Sequence, residues 1–188
     1  MKKSTYILMA ALAAGMLACT KEQVQATYDK QETTIESFVD ARLKADTTAT
    51  VTYNNGSVRV VMHDTLSREG VLADSLRPGG IVSFYYAGYV LTSASVSSSS
   101  LFATNHKATA QASGWALTDT TSQFKICTLT LDDSLLPGLR NGLEGVQNQD
   151  ECYILFSGEY GYGNEAVGTI PARSALVYHV WVNSITNE

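Results

Sequence analysis

The feature that most constrains this chain is a series of strand-like runs with a single short helical pattern among them. Residues 81–91 and 151–157 are rich in aromatic and β-branched residues, and residues 124–131 and 175–182 alternate as half-buried strands do. The helical pattern lies at residues 134–146. A parallel sheet would need a helix between successive strands. The sequence therefore predicts an α+β fold, an antiparallel sheet with a short α-helix laid across it.

Turn and helix signals extend this prediction towards the N-terminus. Asn55-Gly56 stands between alternating runs and predicts a hairpin, because both central residues of such a turn need positive φ. Upstream, Thr33 and Glu36 fit a capping box and predict a helix over about residues 33–45. The apolar face of that helix would be formed by Ile35, Phe38, Val39 and Leu43.

The first residues have the pattern of a targeting signal. Lys2 and Lys3 precede an apolar run, Tyr6–Leu17, that is short for a membrane span. The run ends in Leu-Ala-Cys at Cys19, which resembles the lipobox of bacterial lipoproteins, although Met16 stands where that pattern has leucine. The sequence thus predicts a signal peptide (1–18), a polar tether (19–32), a helix region (33–49) and one domain (50–188). The alternative is an ordinary cleaved secretory signal.

A lipid on Cys19 would anchor the protein in the bacterial cell envelope, on the periplasmic or surface face of the outer membrane. Export would place Cys127 and Cys152 in an oxidising compartment. Both lie in strand-like runs, so we expect two buried, unpaired thiols, with a disulfide as the alternative.

Composition and spacing argue against several functions. The net charge of −5 gives no basic face for nucleic acid. His63, His106 and His179 are scattered and lack ligand spacing, so no metal is expected. Gly161–Ala166 matches the letters of a dinucleotide fingerprint, but Gly168 and Pro171 follow where a helix would have to begin. The sequence also shows no nucleophile elbow and no obvious pair of catalytic carboxylates.

The segments GGIVSFYYAGYVL, LF, LLPGLRNGLEGV and ECYILFSGEYGYGNEAVGTIPARSALVYHVWV, in this order, resemble the FK506-binding-protein (FKBP) type of peptidyl-prolyl cis-trans isomerase. The helix motif PGLRNGLEG and the glycine-tyrosine loop (residues 158–174) are its specific parts. The resemblance covers residues 50–188. The helix and hairpin before it resemble the N-terminal elaboration of envelope-anchored members from Bacteroidetes-like bacteria. The FKBP resemblance implies an aromatic pocket between sheet and helix, with the glycine-tyrosine loop as one rim.

This resemblance also implies the site residues. Tyr86 and Phe102 would be walls of the pocket, and Tyr162 would donate a hydrogen bond from its hydroxyl to the bound peptide. Leu136 would offer its backbone N–H to the substrate. The further substrate-binding positions implied are Leu135, Leu136, Leu139, Ile170, Tyr178 and, on a poorly aligned stretch, Phe124.

The implied activity is isomerisation of X-Pro bonds, with unfolded or proline-containing exported polypeptides as partners. Rotation about an amide has a barrier of about 18–20 kcal/mol, because resonance is lost in the twisted form. No proton transfer, cofactor or metal is needed to lower it. An apolar pocket that excludes water favours the less dipolar twisted amide.

Four positions depart from the family pattern: Ala103 stands for the usual aspartate, Leu139 for tryptophan, Tyr178 for phenylalanine and Ala172 for the loop's second proline. Ala103 removes a polar group, and Leu139 makes the floor that holds the proline ring smaller. These two departures leave open the alternative that the protein is a catalytically weak or inactive binding or chaperone module. A surface lipoprotein that binds glycans through its aromatic side chains is a third alternative.

Overall fold

The computed structural model describes residues 3–62, 74–116 and 124–187, and side chains from residue 21 onward. The described helices are α1 (Lys3–Ala45), α2 (Lys107–Ala112) and α3 (Pro137–Leu143). The described strands are β1 (Thr50–Asn54), β2 (Ser57–Met62), β3 (Ile81–Val90), β4 (Leu101–Thr104), β5 (Cys127–Thr130), β6 (Glu151–Phe156) and β7 (Leu176–Thr186).

The strands of the described ranges form one seven-stranded sheet, in the order β1-β2-β6-β7-β3-β4, with β5 pairing beside β4 on β3. Each of these pairs is antiparallel. Because β3 and β7 pair along ten residues of β3, these two strands form the centre of the sheet. The α+β prediction is confirmed.

Helix α3 packs very closely on β6, and its glycines make this possible. A Cβ added at Gly138 would lie 2.1 Å from Cγ of Phe156, and one at Gly142 would lie 2.1 Å from Cγ2 of Ile154. Glycine lowers helix propensity by about 1 kcal/mol relative to alanine, so packing rather than propensity stabilises this helix. Pro137 occupies its first turn, as the sequence predicts.

A second core lies on the opposite face of the sheet and is covered by α1. Ile35, Phe38 and Val39 are at most 2% exposed there, and they pack with Tyr153 and Leu155 of β6, among others. The predicted apolar face of the N-terminal helix is therefore the face that docks on the sheet. One sheet thus separates two apolar clusters, one beneath α3 and one beneath α1.

The start of α1 corrects the sequence-based prediction. The helix includes residues 19–32, the range predicted as a tether outside the helix, and ends at Ala45 as expected. Thr33 does not cap it, because the Thr33 hydroxyl donates to the carbonyl of Asp29 one turn earlier, at 3.1 Å. The side chain of Cys19, the predicted lipid attachment site, lies outside the described side chains.

No helix in the described part of the chain is both long enough and apolar enough to cross a membrane.

The predicted hairpin turn is confirmed, whereas the prediction of two buried thiols holds for Cys152 and not for Cys127. Asn55 and Gly56 have φ of 44° and 78° between β1 and β2, as the predicted turn requires. Cys127 and Cys152 are both free, Cys152 buried and Cys127 half-buried. Burial raises the pKa of the Cys152 thiol to about 12, so it stays protonated at neutral pH. His63 lies outside the described residues.

A row of stacked rings crosses the α1 side of the sheet. Tyr153 stacks on His179 with ring centroids 4.1 Å apart, and His179 and His106 lie 3.8 Å and 4.0 Å from the Trp181 ring. His179 Nε2 donates to Glu151 Oε1 at 2.8 Å. Burial is the largest cause that lowers the pKa of both histidines, so both rings are neutral at neutral pH.

Candidate active site: an aromatic cavity under the glycine-tyrosine loop

An aromatic cavity of about 380 Å³ opens between the sheet and the glycine-tyrosine loop. Tyr178 of β7 lies at its centre and contacts three other rings. Its ring centroid is 6.1 Å from that of Tyr86, 5.8 Å from that of Phe102 and 6.0 Å from that of Phe156. Aromatic pairs at such distances hold their side chains in defined orientations. The cavity walls are therefore set by the packing of the sheet.

Strands β3 and β5 form one wall through their register. Phe84 lies opposite Cys127, and Val82 lies opposite Leu129. Alternate residues of a strand share a face, so Phe84 and Tyr86 point to the same side of β3. Cys127 and Leu129 of β5 line the cavity with them.

Phe102 reaches the cavity through a β-bulge in β4. Gly88 pairs with Ala103 and Tyr89 pairs with Leu101, so Phe102 is the extra residue of β4 at this irregularity. Its ring lies over Gly88, where an added Cβ would be 2.5 Å from Phe102 Cζ. Gly88 also pairs with Tyr178, whose ring meets Phe102 edge-on at 82°. The missing side chain at Gly88 therefore makes room for the Phe102 ring.

The glycine-tyrosine loop carries Tyr162 to the rim of the cavity. Its two ends meet, because Gly163 N donates to Gly158 O at 2.9 Å and Arg173 N donates to Gly163 O at 2.6 Å. Further along, Val167 and Ile170 exchange both backbone hydrogen bonds, at 2.9 and 3.0 Å. This small turn places residues 167–170 along the cavity beside Tyr162.

The side chain of Gln31 in α1 joins the two ends of this loop. Gly158 N donates to Gln31 Oε1 at 2.8 Å, and Gln31 Nε2 donates to Arg173 O at 2.5 Å. We call this pair of contacts the Gln31 bridge. It crosses more than a hundred residues of sequence and connects α1 to the loop that bears Tyr162.

Comparison with known proteins identifies the family to which this chain belongs. The family model of the FKBP-type peptidyl-prolyl cis-trans isomerases matches residues 73–183, which is more than half of the chain. The chain belongs to this family. No curated protein sequence matches it.

Solved structures support the FKBP fold. The crystal structure of FkpA from Escherichia coli has a TM-score of 0.53 and 16% identity, covering 95% of this chain and 70% of that chain. A peptidyl-prolyl cis-trans isomerase from Pseudomonas syringae pv. tomato has a TM-score of 0.55 and 14% identity, covering 87% of this chain and 96% of its own. The three FKBP domains of wheat FKBP73 also match, with a TM-score of 0.55 and 14% identity over 74% of this chain and 52% of that chain.

The chemistry of this FKBP cavity is that of neutral donors. No charged side chain is among the described residues that line it. Burial is the largest cause that raises the pKa of Tyr86, Tyr178 and Cys127. For Tyr178 a hydrogen bond and electrostatic interaction with Tyr162 add to this. These groups stay protonated at neutral pH, so the site can donate hydrogen bonds but offers no ready base or nucleophile.

Most residues that the FKBP resemblance implied come together in the structure. The cavity is lined by Tyr86, Phe102, Leu139, Tyr162, Ile170 and Tyr178. Ala103, which stands for the usual aspartate, also lies in the lining.

Three implied side chains lie elsewhere. Leu135 and Leu136 are half-buried against the core at the start of α3 and are not among the residues that line the cavity, while the contact of the Leu136 backbone N–H with substrate stays a prediction. Leu139, within the first turn of α3, is the residue that reaches it. Phe124 precedes β5 and lines another hollow with Tyr85, whose side chain points to the opposite face from Tyr86.

Several lining residues of the FKBP site were not predicted from the sequence. Phe84 could have been found from its alternation with Tyr86 along β3. Cys127 and Leu129 depend on the pairing register of β5, which the sequence does not specify. Three further lining residues come from the tip of the glycine-tyrosine loop: Val167, Gly168 and Thr169.

Proposed function

We propose that this FKBP-type protein isomerises X-Pro bonds of exported polypeptides within the aromatic cavity. The observation that carries the proposal is the lining itself, in which Tyr86, Phe102, Tyr162 and Tyr178 surround one space and none of the described lining residues is charged. A cavity of about 380 Å³ is within the range of small-ligand sites. Its substrates would be unfolded or proline-containing chains.

The mechanism would be non-covalent and would use no cofactor or metal. A planar amide is strongly dipolar and is stabilised by water, whereas the twisted amide is less so. A water-poor cavity with aromatic walls would therefore favour the twisted form relative to the planar one. Tyr162 would donate a hydrogen bond to a peptide carbonyl at the rim. A thousandfold acceleration needs only about 4 kcal/mol, which such contacts can supply.

Two substitutions in the lining support a low rather than a high rate. Ala103 contributes no polar group to the cavity, and Leu139 offers the proline ring less surface than an indole. Binding of the ring would weaken in proportion to the apolar area lost. These positions also carry the second candidate function, a binding or chaperone module that holds proline-containing segments without accelerating their isomerisation.

Exchange spectroscopy by NMR tests the proposal directly. The protein from residue 20 onward is added to an Ala-Leu-Pro-Phe-type peptide, and the cis/trans exchange rate is measured beside that of Tyr162→Ala. We expect the wild-type protein to accelerate exchange and the variant to lose most of that acceleration. Uncatalysed exchange takes tens to hundreds of seconds, so even weak catalysis is measurable.

The same spectra separate the two functions. If peptide resonances shift on binding while exchange keeps its uncatalysed rate, the protein is a binding module. If neither the rate nor the resonances change, the cavity is not a prolyl site.

We also propose that the protein is a lipoprotein of the bacterial cell envelope, as in Bacteroidetes-like bacteria, anchored by lipid on Cys19. The Leu-Ala-Cys sequence after a short apolar run supports this. Several acyl chains would hold the protein firmly, since each buried methylene contributes about 0.8 kcal/mol. Native protein should partition into detergent, and Cys19→Ser should release it. A Cys19→Ser protein that stays with the membrane would mean a different anchor.

A further inference from the structure

A second hollow lies directly beside the aromatic cavity. It measures about 420 Å³ and is bounded by the loop after β3 and by the far side of the glycine-tyrosine loop. We call it the serine groove and define it by six of its lining residues: Ser97, Ser99, Ser100, Phe102, Thr169 and Pro171. Neither the family resemblance nor the proposed prolyl site accounts for it.

The serine groove continues the aromatic cavity. Phe102 and Thr169 line both spaces, and Ile170, which lines the cavity, lies between Thr169 and Pro171 of the groove. A chain whose proline occupies the cavity has to leave it on both sides of that proline. At about 3.3–3.6 Å per extended residue, the next few residues on one side would enter the groove.

The groove is shaped by hydrogen bonds within its own loop. Ser97 Oγ and Ser99 Oγ are 2.9 Å apart, and Ser100 Oγ donates to Ser97 O at 3.0 Å. Each serine hydroxyl has one donor and two acceptor positions, so these contacts leave capacity for a bound chain. Leu101 and Phe102 begin β4, which ends the described strand order and pairs there with β3 alone. Such an edge offers backbone groups to an extended peptide.

The chemistry of the groove defines what it can bind. Its described lining holds hydroxyl-bearing and apolar side chains and no charged one, as does that of the cavity. A charged flanking residue would lose water there without gaining a partner, whereas small polar and apolar residues would not meet that penalty. Specificity of this kind arises from rejecting the wrong flank as much as from binding the right one.

We propose that the serine groove is a binding subsite for the residues flanking the proline of a substrate chain, and that it selects uncharged flanks. This inference rests on the proposed prolyl site and adds its substrate class. Short peptides occupy the cavity alone, while longer chains with serine, threonine or alanine next to the X-Pro core occupy both spaces.

The test compares peptides that share one core. Exchange kinetics are measured for Ala-Leu-Pro-Phe, for a ten-residue peptide with the same core and three Ser, Thr or Ala residues at each end, and for versions with Glu or Lys at those ends. We expect the long uncharged peptide to have a KM at least about fivefold lower than the tetrapeptide, a difference that one added contact supplies. The charged versions should show no such gain.

Adjacent serines provide a matched pair of variants. Ser99 lines the groove, whereas Ser98 is its exposed neighbour and does not. Ser99→Trp should fill the groove and bring the KM ratio of the long and short peptides close to one, while Ser98→Trp should keep the wild-type ratio. If the two variants give the same ratio, the subsite is excluded.

The remaining outcomes are also decisive. If wild type isomerises long and short peptides with equal KM, the groove is not a subsite and the isomerase function stands. If wild type isomerises neither the long nor the short peptide, the proposed function fails. Peptide affinities measured by NMR titration then decide whether the groove is a subsite. If Ser99→Trp does not fold, the backbone amide resonances of Ser99 and Thr169 in the wild-type protein test the subsite instead. They should shift with the long peptide and not with the tetrapeptide, and an equal shift overturns the subsite.

Discussion

At the scale of single residues, Gly88 determines where the Phe102 ring lies. The ring occupies the space that a side chain at residue 88 would fill, and the bulge in β4 turns it towards Tyr178. A glycine in a strand interior weakens the strand, and a close approach by another group is one reason for its presence. Here the approaching group is a wall of the candidate active site.

Gly88→Ala should therefore move Phe102 and reduce isomerisation. The added Cβ would be 2.5 Å from Phe102 Cζ, so the ring has to shift, and we expect a loss of about 1–3 kcal/mol in the free energy of unfolding. Urea unfolding and exchange kinetics measure the two effects.

A double-mutant cycle supplies the control for this prediction. In a Phe102→Ala background the clash is absent, so Gly88→Ala should cost much less stability there. An equal loss of stability in both backgrounds would show that contact with Phe102 is not the reason why residue 88 excludes a larger side chain.

At the scale of secondary-structure elements, α1 contributes to the site without lining the cavity. Its Gln31 bridge holds both ends of the glycine-tyrosine loop, and its apolar face packs on the sheet that carries Tyr86 and Tyr178. The position of Tyr162 therefore depends on a helix that lies outside the residues matched by the family model.

Gln31→Ala should loosen the loop and leave the rest of the fold largely intact. The change leaves Gly158 N–H and Arg173 C=O without their amide partner, which we expect to lower the free energy of local opening by about 1–2 kcal/mol. Amide hydrogen exchange at Gly163 and Arg173 should then quicken by about tenfold, and KM for the tetrapeptide should rise.

Gln25→Ala is the matched control for Gln31→Ala. Gln25 lies on the same helix, and its side-chain amide donates to Asp29 within α1. It should leave exchange at Gly163 and Arg173 unchanged. If both variants accelerate this amide exchange equally, the effect comes from α1 as a whole rather than from the Gln31 bridge.

The sequence predicts elements well where the signal is local. The Asn55-Gly56 turn, the proline in the first turn of α3 and the strand containing Tyr178 each follow from a few neighbouring residues. Failures occur where tertiary packing decides. The register of β5 places Cys127 in the cavity lining, and the start of α3 places Leu139 there rather than Leu136. The helical part of α1 over residues 19–32 was missed because its mostly polar residues carry no apolar period.

At the scale of the whole molecule, one sheet carries different chemistry on its two faces. The α3 face holds the cavity and its protonated tyrosines, whereas the α1 face holds the stacked histidines His106 and His179. Burial lowers the pKa of both histidines, and for His179 the attraction of Glu151 opposes this without outweighing it. Arg42, near the same rings, also disfavours a charge on His179.

Stability should consequently fall as the pH drops below about 6.5. In the unfolded chain the histidines bind protons near their ordinary pKa of 6.5, before the folded protein does, so the unfolded state binds more protons in this range. The stabilisation is fully present above pH 6.5 and is lost as the pH falls towards the folded-state values. Below about pH 4.5 the lowered pKa of Glu151 adds a further loss.

Urea midpoints at pH 7.5, 6.5 and 5.5 measure this dependence. A His106→Asn, His179→Gln variant should be less stable at pH 7.5 but should have a flatter pH profile across that range. A variant profile as steep as that of wild type would place the pH dependence elsewhere in the molecule.

The Gln31 bridge also bears on how the glycine-tyrosine loop could host foreign sequence. Residues 164–169 at its tip are all exposed, while both ends are joined at the neck. Lengthening a closed loop raises its closure free energy only slowly, by about 0.6 kcal/mol for each doubling. A guest peptide inserted between Glu165 and Ala166 would thus be displayed beside the cavity mouth at modest cost. The exposed tip of this loop, whose two ends are joined by the Gln31 bridge, is therefore an attachment point for a reporter of substrate binding.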